Sequence, residues 1–444
     1  MAGYPPDTLV RVRPFDHRPE GDTVIIGDVE RQVFLSIPAE GLDLLQSLAA
    51  GNSVGEAVRQ YEQKYSETPD ITDFLDALGD EGFIEVDDAA TTPTPAAPAP
   101  APASRPRRSW SLNWLSPTVA RRMVSLPVLL LCVLIIAGGV YLAADDPDLL
   151  PTPGETLLFP IHFAALTWAT FILTLVGVAI HEAAHMVAAR AAGVPSRLVI
   201  GNQMYILVVQ TDMSTIWMAP KRQRFVAFIA GTLVDGVLAS SFVVALWAGR
   251  HGYLQLPEWG ALLLTALLFT YLVRIIWQTF LFLRTDGYYI VATALGCRNL
   301  MSDTEDYLRN LVARMVRRTP RVDQSGLPRR EMRVVRWYAL AWVGGRLMAL
   351  VTLIFVGIPL LWGFIYQFLL FVSGQDSMMG SLDFVTIAVI SFLLDGGGLL
   401  LWGRSLLQGA RERRRRHDVR SAREQARAGT PSTATPTAVE PSGR

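Results

Sequence analysis

Between Gly177 and Gly193 the chain reads GVAIHEAAHMVAARAAG, which places His181, Glu182 and His185 at the end of a run apolar enough to cross a bilayer. On a helix, residues four apart share a face, so the two imidazoles can converge on one ion while Glu182 stands beside the open coordination position. Two neutral imidazoles and one carboxylate hold Zn²⁺, with a water in the fourth place whose pKa falls toward ~7. A glutamate at this spacing takes that water's proton during attack on a carbonyl. The chemistry encoded by HEAAH is therefore amide hydrolysis at neutral pH, with Glu182 as base and one zinc per chain. Burying an ionisable residue at membrane depth costs roughly 2.5–3.5 kcal/mol, which favours a functional reading over a chance match. Ligation by histidine and carboxylate favours zinc among the divalent ions.

A third protein ligand is required, and the membrane region offers several aspartates. Asp286 lies in FLFLRTDGYYIVATALG, Asp395 in SFLLDGGGLL and Asp235 in AGTLVDGVLAS. His181 sits ~15 Å inside the end of its apolar run, so Asp286 can meet it only if the chain around Asp286 lies deeper than the end of its own run. Spacing alone leaves Asp286 and Asp395 open. Asp235 and Arg274 fall at similar depth on neighbouring runs, which points to a buried ion pair rather than ligation for Asp235. His162 is ~28 Å along the same helix from His181 and out of reach of its ion. His17, His251 and His417 lie outside the apolar runs, and Cys132 and Cys297 indicate no disulfide framework.

Six apolar windows are long enough to cross ~30 Å of hydrocarbon, near residues 126 to 144, 157 to 191, 225 to 248, 259 to 283, 337 to 366 and 382 to 403. The segments joining them alternate between nearly Arg-free and Arg-rich, so the positive-inside rule puts both termini in the cytoplasm. The N-terminus, MAGYPPDTLVRVRPF, carries no secretory signal, in accord with that orientation. The expected architecture is a polytopic α-helical membrane protein with about six transmembrane helices, in the cell membrane, behind a small N-terminal α+β, winged-helix-like domain. Residues 1–88 form that head, 89–109 a Pro/Ala-rich tether, 110–410 the membrane domain and 411–444 a basic, disordered tail. The net charge of zero conceals a division, for residues 1–88 hold 19 Asp and Glu against 6 Lys and Arg. An acidic head excludes nucleic acid as its partner. RLVIGNQMYILVVQTDMS alternates enough to form a hairpin between the second and third spans, able to cover the zinc site or to pair with an unwound substrate.

HEAAH followed about a hundred residues later by RTDGYY, with TDMSTIWMAPKRQRFVAFIAGTLVD between, resembles the site-2 protease family of intramembrane zinc metalloproteases, and most of all its bacterial peptide zinc metalloprotease branch. The likeness covers roughly residues 157 to 300. It implies His181, His185 and Asp286 as ligands and Glu182 as base. Members often carry Asn and Pro ahead of an LDG motif where this chain has QTFLFLRT, and Thr285 stands in place of the Leu. That departure bears on substrate-strand handling rather than on metal binding.

In the head, DTVIIGD and ERQVFLSIP read as two strands, and GLDLLQSLAA, SVGEAVRQYEQKY and ITDFLDALGDEG as three short helices, with Ser53 and Asp70 as N-caps. This order, ending in GFIEV, resembles the PqqD-like element that binds leader peptides in pathways of ribosomally made, post-translationally modified peptides. In such modules the leader adds as a strand to the sheet edge. The resemblance implies a substrate groove between the stretch Val33 to Ile37, with Val33, Phe34 and Leu35 foremost, and the helix carrying Phe74, Leu75 and Leu78. Asp70, Asp73, Asp76 and Asp80 on that helix would suit a basic leader, although a charge run is commonly a solvated face. The function expected is hydrolysis of a peptide bond in a precursor peptide during biosynthesis of a modified peptide (RiPP), one of a daptide-like or related kind. Regulated cleavage of a membrane signalling protein is the alternative within the enzyme class. A noncatalytic membrane peptide receptor or immunity protein is the alternative outside it.

Overall fold

The computed structural model describes residues 4–404 except for 22, 29–32, 87–109, 153–155, 157–158, 204–205, 297–299, 318, 320–323, 325–328, 376–378, 398 and 401–402. The tether at 89–109 and the tail at 411–444 lie outside the described residues. The chain divides into two units, one of Met1–Val199 with Thr211–Gly380, the other of Ile200–Gln210 with Ser381–Arg444.

The head runs through strands β1 (Val10–Val12), β2 (Asp16–Glu20), β3 (Thr23–Asp28) and β4 (Val33–Pro38). Helices α1 (Ala39–Ala49), α2 (Val54–Tyr65) and α3 (Ile71–Asp80) follow, and β5 (Ile84–Val86) closes it. β2, β3 and β4 form an antiparallel sheet in that order, with Ile26 opposite both His17 and Leu35, while β1 pairs with β5. The two strands and three helices read from the sequence are present. Ser53 closes a capping box with Glu56, and the Asp70 carboxylate accepts the Asp73 N–H at 3.1 Å. β2 carries no apolar alternation, and Pro19 confines it to an edge, so nothing in its composition marks it as a strand.

β3 explains its own VIIG run. Val24 and Ile26 face the helices and join Leu44, Leu45, Leu48, Leu75 and Leu78 in the head's core. Ile25, on the other face, is also fully buried, and Gly27 on that same face lies against Met218. A strand buried on both faces reads as a continuous apolar stretch. The covering element is the 3₁₀ turn Ser214–Met218.

Helix α4 (Pro117–Met123) leads into α5 (Leu126–Asp145), and α6 (Phe163–Ala191) follows. Strands β6 (Arg197–Gln203) and β7 (Ile206–Asp212) pair with each other, as the alternation of that segment predicts. Next come α7 (Lys221–Arg250), α8 (Glu258–Gln278), α9 (Asp286–Leu295), α10 (Leu300–Met315), α11 (Arg329–Thr352), α12 (Ile358–Val372) and α13 (Ser381–Ser391). Among the described residues five helices are long and apolar enough to cross a membrane: Pro117–Asp145, Phe163–Ala191, Lys221–Arg250, Glu258–Gln278 and Arg330–Phe355. The sixth apolar window is described as α13 and a π turn at Phe392–Gly396, beyond which several residues lie outside the description.

Helix α7 is the centre of the bundle, packed on α5, α6, α8 and α9. Its buried positions are mostly small, with Ala227, Ala230, Gly231, Ala239 and Ser240 among them, which lets neighbouring backbones come close. The window expected to run to residue 283 stops at Gln278. There the helix breaks, and the freed polar groups find partners: Thr285 Oγ1 donates to the Gln278 carbonyl at 3.1 Å, the Asp286 N–H to Gln278 Oε1 at 3.1 Å, and the Tyr338 hydroxyl to the Leu281 carbonyl. Non-helical backbone inside an apolar bundle persists only when its groups are satisfied in this way.

The head is fastened to the first turn of α7. Arg224, 3% exposed, forks the Glu20 carboxylate through Nη1 at 3.0 Å and through Nη2, donates to the Trp217 carbonyl at 3.2 Å and lies 5.5 Å over the Trp217 ring. Arg18 donates to the Met218 carbonyl at 2.6 Å. A hydrogen bond to a charged group contributes about 1.5–3 kcal/mol, and Glu20 keeps part of its surface in solvent, so about 2 kcal/mol is the expected share of the Arg224 fork. Arg224→Ala should therefore raise the undocked population of the head roughly 30-fold. Faster hydrogen exchange across β2, β3 and residues 214–218, with α1 to α3 unchanged, is the result that checks it.

Candidate metal centre

The break after Gln278 is what brings Asp286 to the histidines. His181 and His185 lie one turn apart on α6, 4% and 2% exposed, and Asp286 begins α9, where the positive end of the helix dipole favours a carboxylate. His181 Nε2 is 3.1 Å from Asp286 Oδ2, His185 Nε2 is 3.2 Å from the same oxygen, and the two Nε2 atoms are 3.2 Å apart. An ion bonded tetrahedrally at ~2.0–2.1 Å requires ligand atoms ~3.3 Å apart, so this triangle has the size of a zinc site.

Hydrogen bonding elsewhere on each ring sets what faces the triangle. His185 Nδ1 is 2.7 Å from the Ala227 carbonyl, which can only accept, so Nδ1 carries the hydrogen and a neutral His185 turns the lone pair of Nε2 inward. His181 Nδ1 is 2.8 Å from Asp235 Oδ2, and the same logic turns its Nε2 lone pair inward. With both imidazoles neutral, two lone pairs and a carboxylate oxygen converge. Neutral imidazoles so placed could ligate a cation together with Asp286.

Gly231 of α7 leaves the room. A Cβ built on it would stand 2.4 Å from His185 Nε2 and 2.5 Å from His181 Nε2, inside the space the three ligand atoms share. Gly287 performs a different service, because a Cβ there would lie 2.0 Å from the Gln278 carbonyl and force apart the break that positions Asp286. Glu182, 8% exposed, is held by Thr211, whose hydroxyl lies 2.8 Å from Glu182 Oε2 and 3.1 Å from the Glu182 carbonyl oxygen. The next residue, Asp212, is tied to Arg197 Nε at 3.0 Å and to the Ser214 hydroxyl at 2.8 Å. Burial works to raise its carboxyl pKa, and the hydrogen bonds from Ser214 and Arg197 outweigh that and hold it below the usual value.

The structure thus brings His181, His185 and Asp286 together, the one group among the described residues whose His, Cys, Asp and Glu atoms could hold a metal. Asp235 pairs with Arg274 at 3.1 Å, as its depth predicts, and touches His181 as well. Asp395 belongs to the smaller unit and its side chain lies outside the description. His162 precedes α6, and His251 follows α7, stacked on Trp247. In the head, Val33 and Leu35 are partly buried on β4, Phe34 packs against Gly27 and Phe74 against Gly41. Leu75 and Leu78 are wholly buried and serve the core rather than a groove. Of the acidic residues on α3, Asp70 is a cap and Asp76 accepts the Tyr4 hydroxyl at 2.8 Å. Sequence reasoning missed Thr211, Gln278, Gly231 and the contact of Asp235 with His181. None has a spacing that marks it, since each reaches the site from another element.

No protein-family model matches the chain, and neither a curated protein nor a solved structure does.

Gly231→Ala should leave the bundle folded and zinc-poor. Gly236→Ala, whose added methyl meets only the movable end of Ile136, should keep zinc, and metal analysis of the two purified proteins distinguishes them. The hairpin base should also respond to acid. Because the folded pKa of Asp212 lies below its unfolded value of about 3.9, its contribution is complete above that value and is lost as pH falls through the folded pKa. Amide protection at residues 197 and 211–214 should decline below about pH 4 in the wild type, with a flat, lower profile in Asp212→Asn.

Proposed function

We propose that this chain is an intramembrane zinc endopeptidase of site-2 protease type, with its scissile site inside an apolar bundle and a docked head that recognises a peptide. The observation that carries the reading is the convergence of two imidazole lone pairs and the Asp286 carboxylate, with Glu182 next in sequence to one ligand and anchored by Thr211. A zinc ion bound by His181, His185 and Asp286 would supply Lewis-acid polarisation of a carbonyl and of the attacking water. Glu182 then accepts the proton of that water and passes it to the leaving amine, a role that a metal serving only structure does not need. Thr211 donates to one carboxylate oxygen and restricts the rotation of Glu182, so the proton acceptor is oriented before substrate arrives.

The five long apolar helices support a multi-pass location in the cell membrane; with the sixth apolar window, residues 382 to 403, as a further span, the Arg-rich segments and both termini fall on the cytoplasmic side. The head supports a peptide partner. β4 pairs only with β3 among the described strands, so its other edge is open to a strand added along Val33 to Ile37. A precursor peptide of a modified-peptide pathway is the substrate that unites an edge-binding head with an endopeptidase. The head's acidic charge suits a basic leader.

Zinc content and cleavage of a precursor peptide encoded beside the protein, measured on full-length protein in lipid nanodiscs, test the proposal. One zinc per chain is expected in the wild type, none in Asp286→Ala, and full zinc without turnover in Glu182→Gln. Wild-type protein without zinc would defeat the enzyme reading. Unchanged binding of the peptide with no cleavage by a zinc-loaded wild type would favour a membrane peptide receptor instead.

A further inference from the structure

Asp235 is fully buried in α7 and has two partners, where its depth in the sequence announces one. Its Oδ2 lies 2.8 Å from His181 Nδ1, and its Oδ1 lies 3.1 Å from Arg274 Nη2 in an ion pair without hydrogen-bond geometry. Arg274 in turn sits 5.0 Å over the Tyr271 ring on α8. Arg274 balances the charge of the carboxylate, so what Asp235 offers His181 is a directed acceptor on the far side of the ring from the ligand triangle.

The position of Asp235 on α7 gives this contact its meaning. Ala227, Gly231 and Asp235 are successive residues four apart, so they form one stripe along the helix. The stripe meets the two histidines three times: the Ala227 carbonyl takes His185 Nδ1, Gly231 clears the space for the ion, and Asp235 takes His181 Nδ1. Helix α7 supplies no ligand, yet it orients both imidazoles. Because Ala227 acts through its backbone, Asp235 is the side chain on which that orientation turns.

Resting on the metal reading above, we propose that Asp235 is a positioning residue of the zinc centre, which fixes the tautomer and ring orientation of His181, and that Arg274 is present to make that buried carboxylate tolerable. Partners of this kind, behind a metal-bound imidazole, typically change metal affinity 10–100-fold when removed.

The experiment compares full-length wild type, Asp235→Asn, Asp235→Leu, the double variant Asp235→Leu with Arg274→Met, and Asp286→Ala in nanodiscs. Zinc affinity is measured by competition with a chromophoric chelator, the visible spectrum of the cobalt-substituted protein is recorded, and thermal unfolding is followed. The double variant removes both charges together, so it should regain the melting temperature that Asp235→Leu loses. Zinc affinity should nevertheless stay roughly 10–100-fold below wild type in both, with a shifted cobalt spectrum, and Asp235→Asn should fall between them and wild type. A double variant that binds zinc as tightly as wild type, with the same cobalt spectrum, would show that Asp235 serves only the ion pair and would overturn the inference alone. If Asp235→Leu and the double variant do not fold, Asp235→Asn decides by the same two readouts. Wild type that binds no zinc, or zinc retained in Asp286→Ala, would remove the metal reading and this inference with it.

Discussion

Two imidazole nitrogens and one carboxylate oxygen are held about 3.2 Å apart inside an apolar bundle, and much of the described architecture around residues 177–290 holds them there. Helix α6 needs only its own pitch to place His181 and His185 on one face. Asp286 has to be delivered from another direction, which requires α8 to end within the bundle. The chain meets that requirement by giving Gln278 two tasks, since its carbonyl accepts from Thr285 and its side chain accepts the N–H of Asp286. A glycine directly after Asp286 lets the chain pass the Gln278 carbonyl at close range. The site therefore rests on a helix break whose polar groups are paid in full.

Helix α7 connects this centre to everything else. Small residues let it pack against four other helices, and the same absence of bulk at Gly231 leaves the space for an ion. One stripe of the helix orients the two imidazoles, and its first turn, through Arg224, carries the head. Between that turn and the site runs a short path. The 3₁₀ turn on which β3 lies follows β7 directly, and β7 holds Thr211 against Glu182. Thr211, which holds Glu182, and the surface under the head are thus parts of one continuous segment, residues 211–218. The head is therefore docked on the segment that leads directly from Glu182's partner.

The head also shows how docking shapes a strand. β3 is buried on both faces, by the helices on one side and by Met218 on the other, while β4 has only β3 as a strand partner among the described residues. Leu75 and Leu78 are committed to the core, so any groove beside β4 is lined by the more accessible Val33, Leu35 and Phe74.

Much of this was legible in the amino-acid sequence, because it depends on periodicity. The spacing of His181, Glu182 and His185 puts them on one helical face whatever surrounds them, and the apolar windows correspond to helices because length and hydropathy are local properties. The caps at Ser53 and Asp70 and the alternation in β6 and β7 are local in the same sense. What periodicity does not carry is where one element stops inside another's environment or which side chain answers across a gap. Whether Asp286 could reach the histidines depended on where α8 ends, and an apolar run through residue 283 conceals an end at Gln278. Asp235 reads as an ion pair with Arg274 from depth alone. Its second contact, to His181, exists only because α7 lies against α6 in a particular rotation. Thr211, Gly231 and Gln278 are ordinary residues until packing brings them within hydrogen-bond or van der Waals distance of the site. A ligand motif is written along one helix, whereas its geometry is set by groups between about 30 and 105 residues away that only the folded chain brings near.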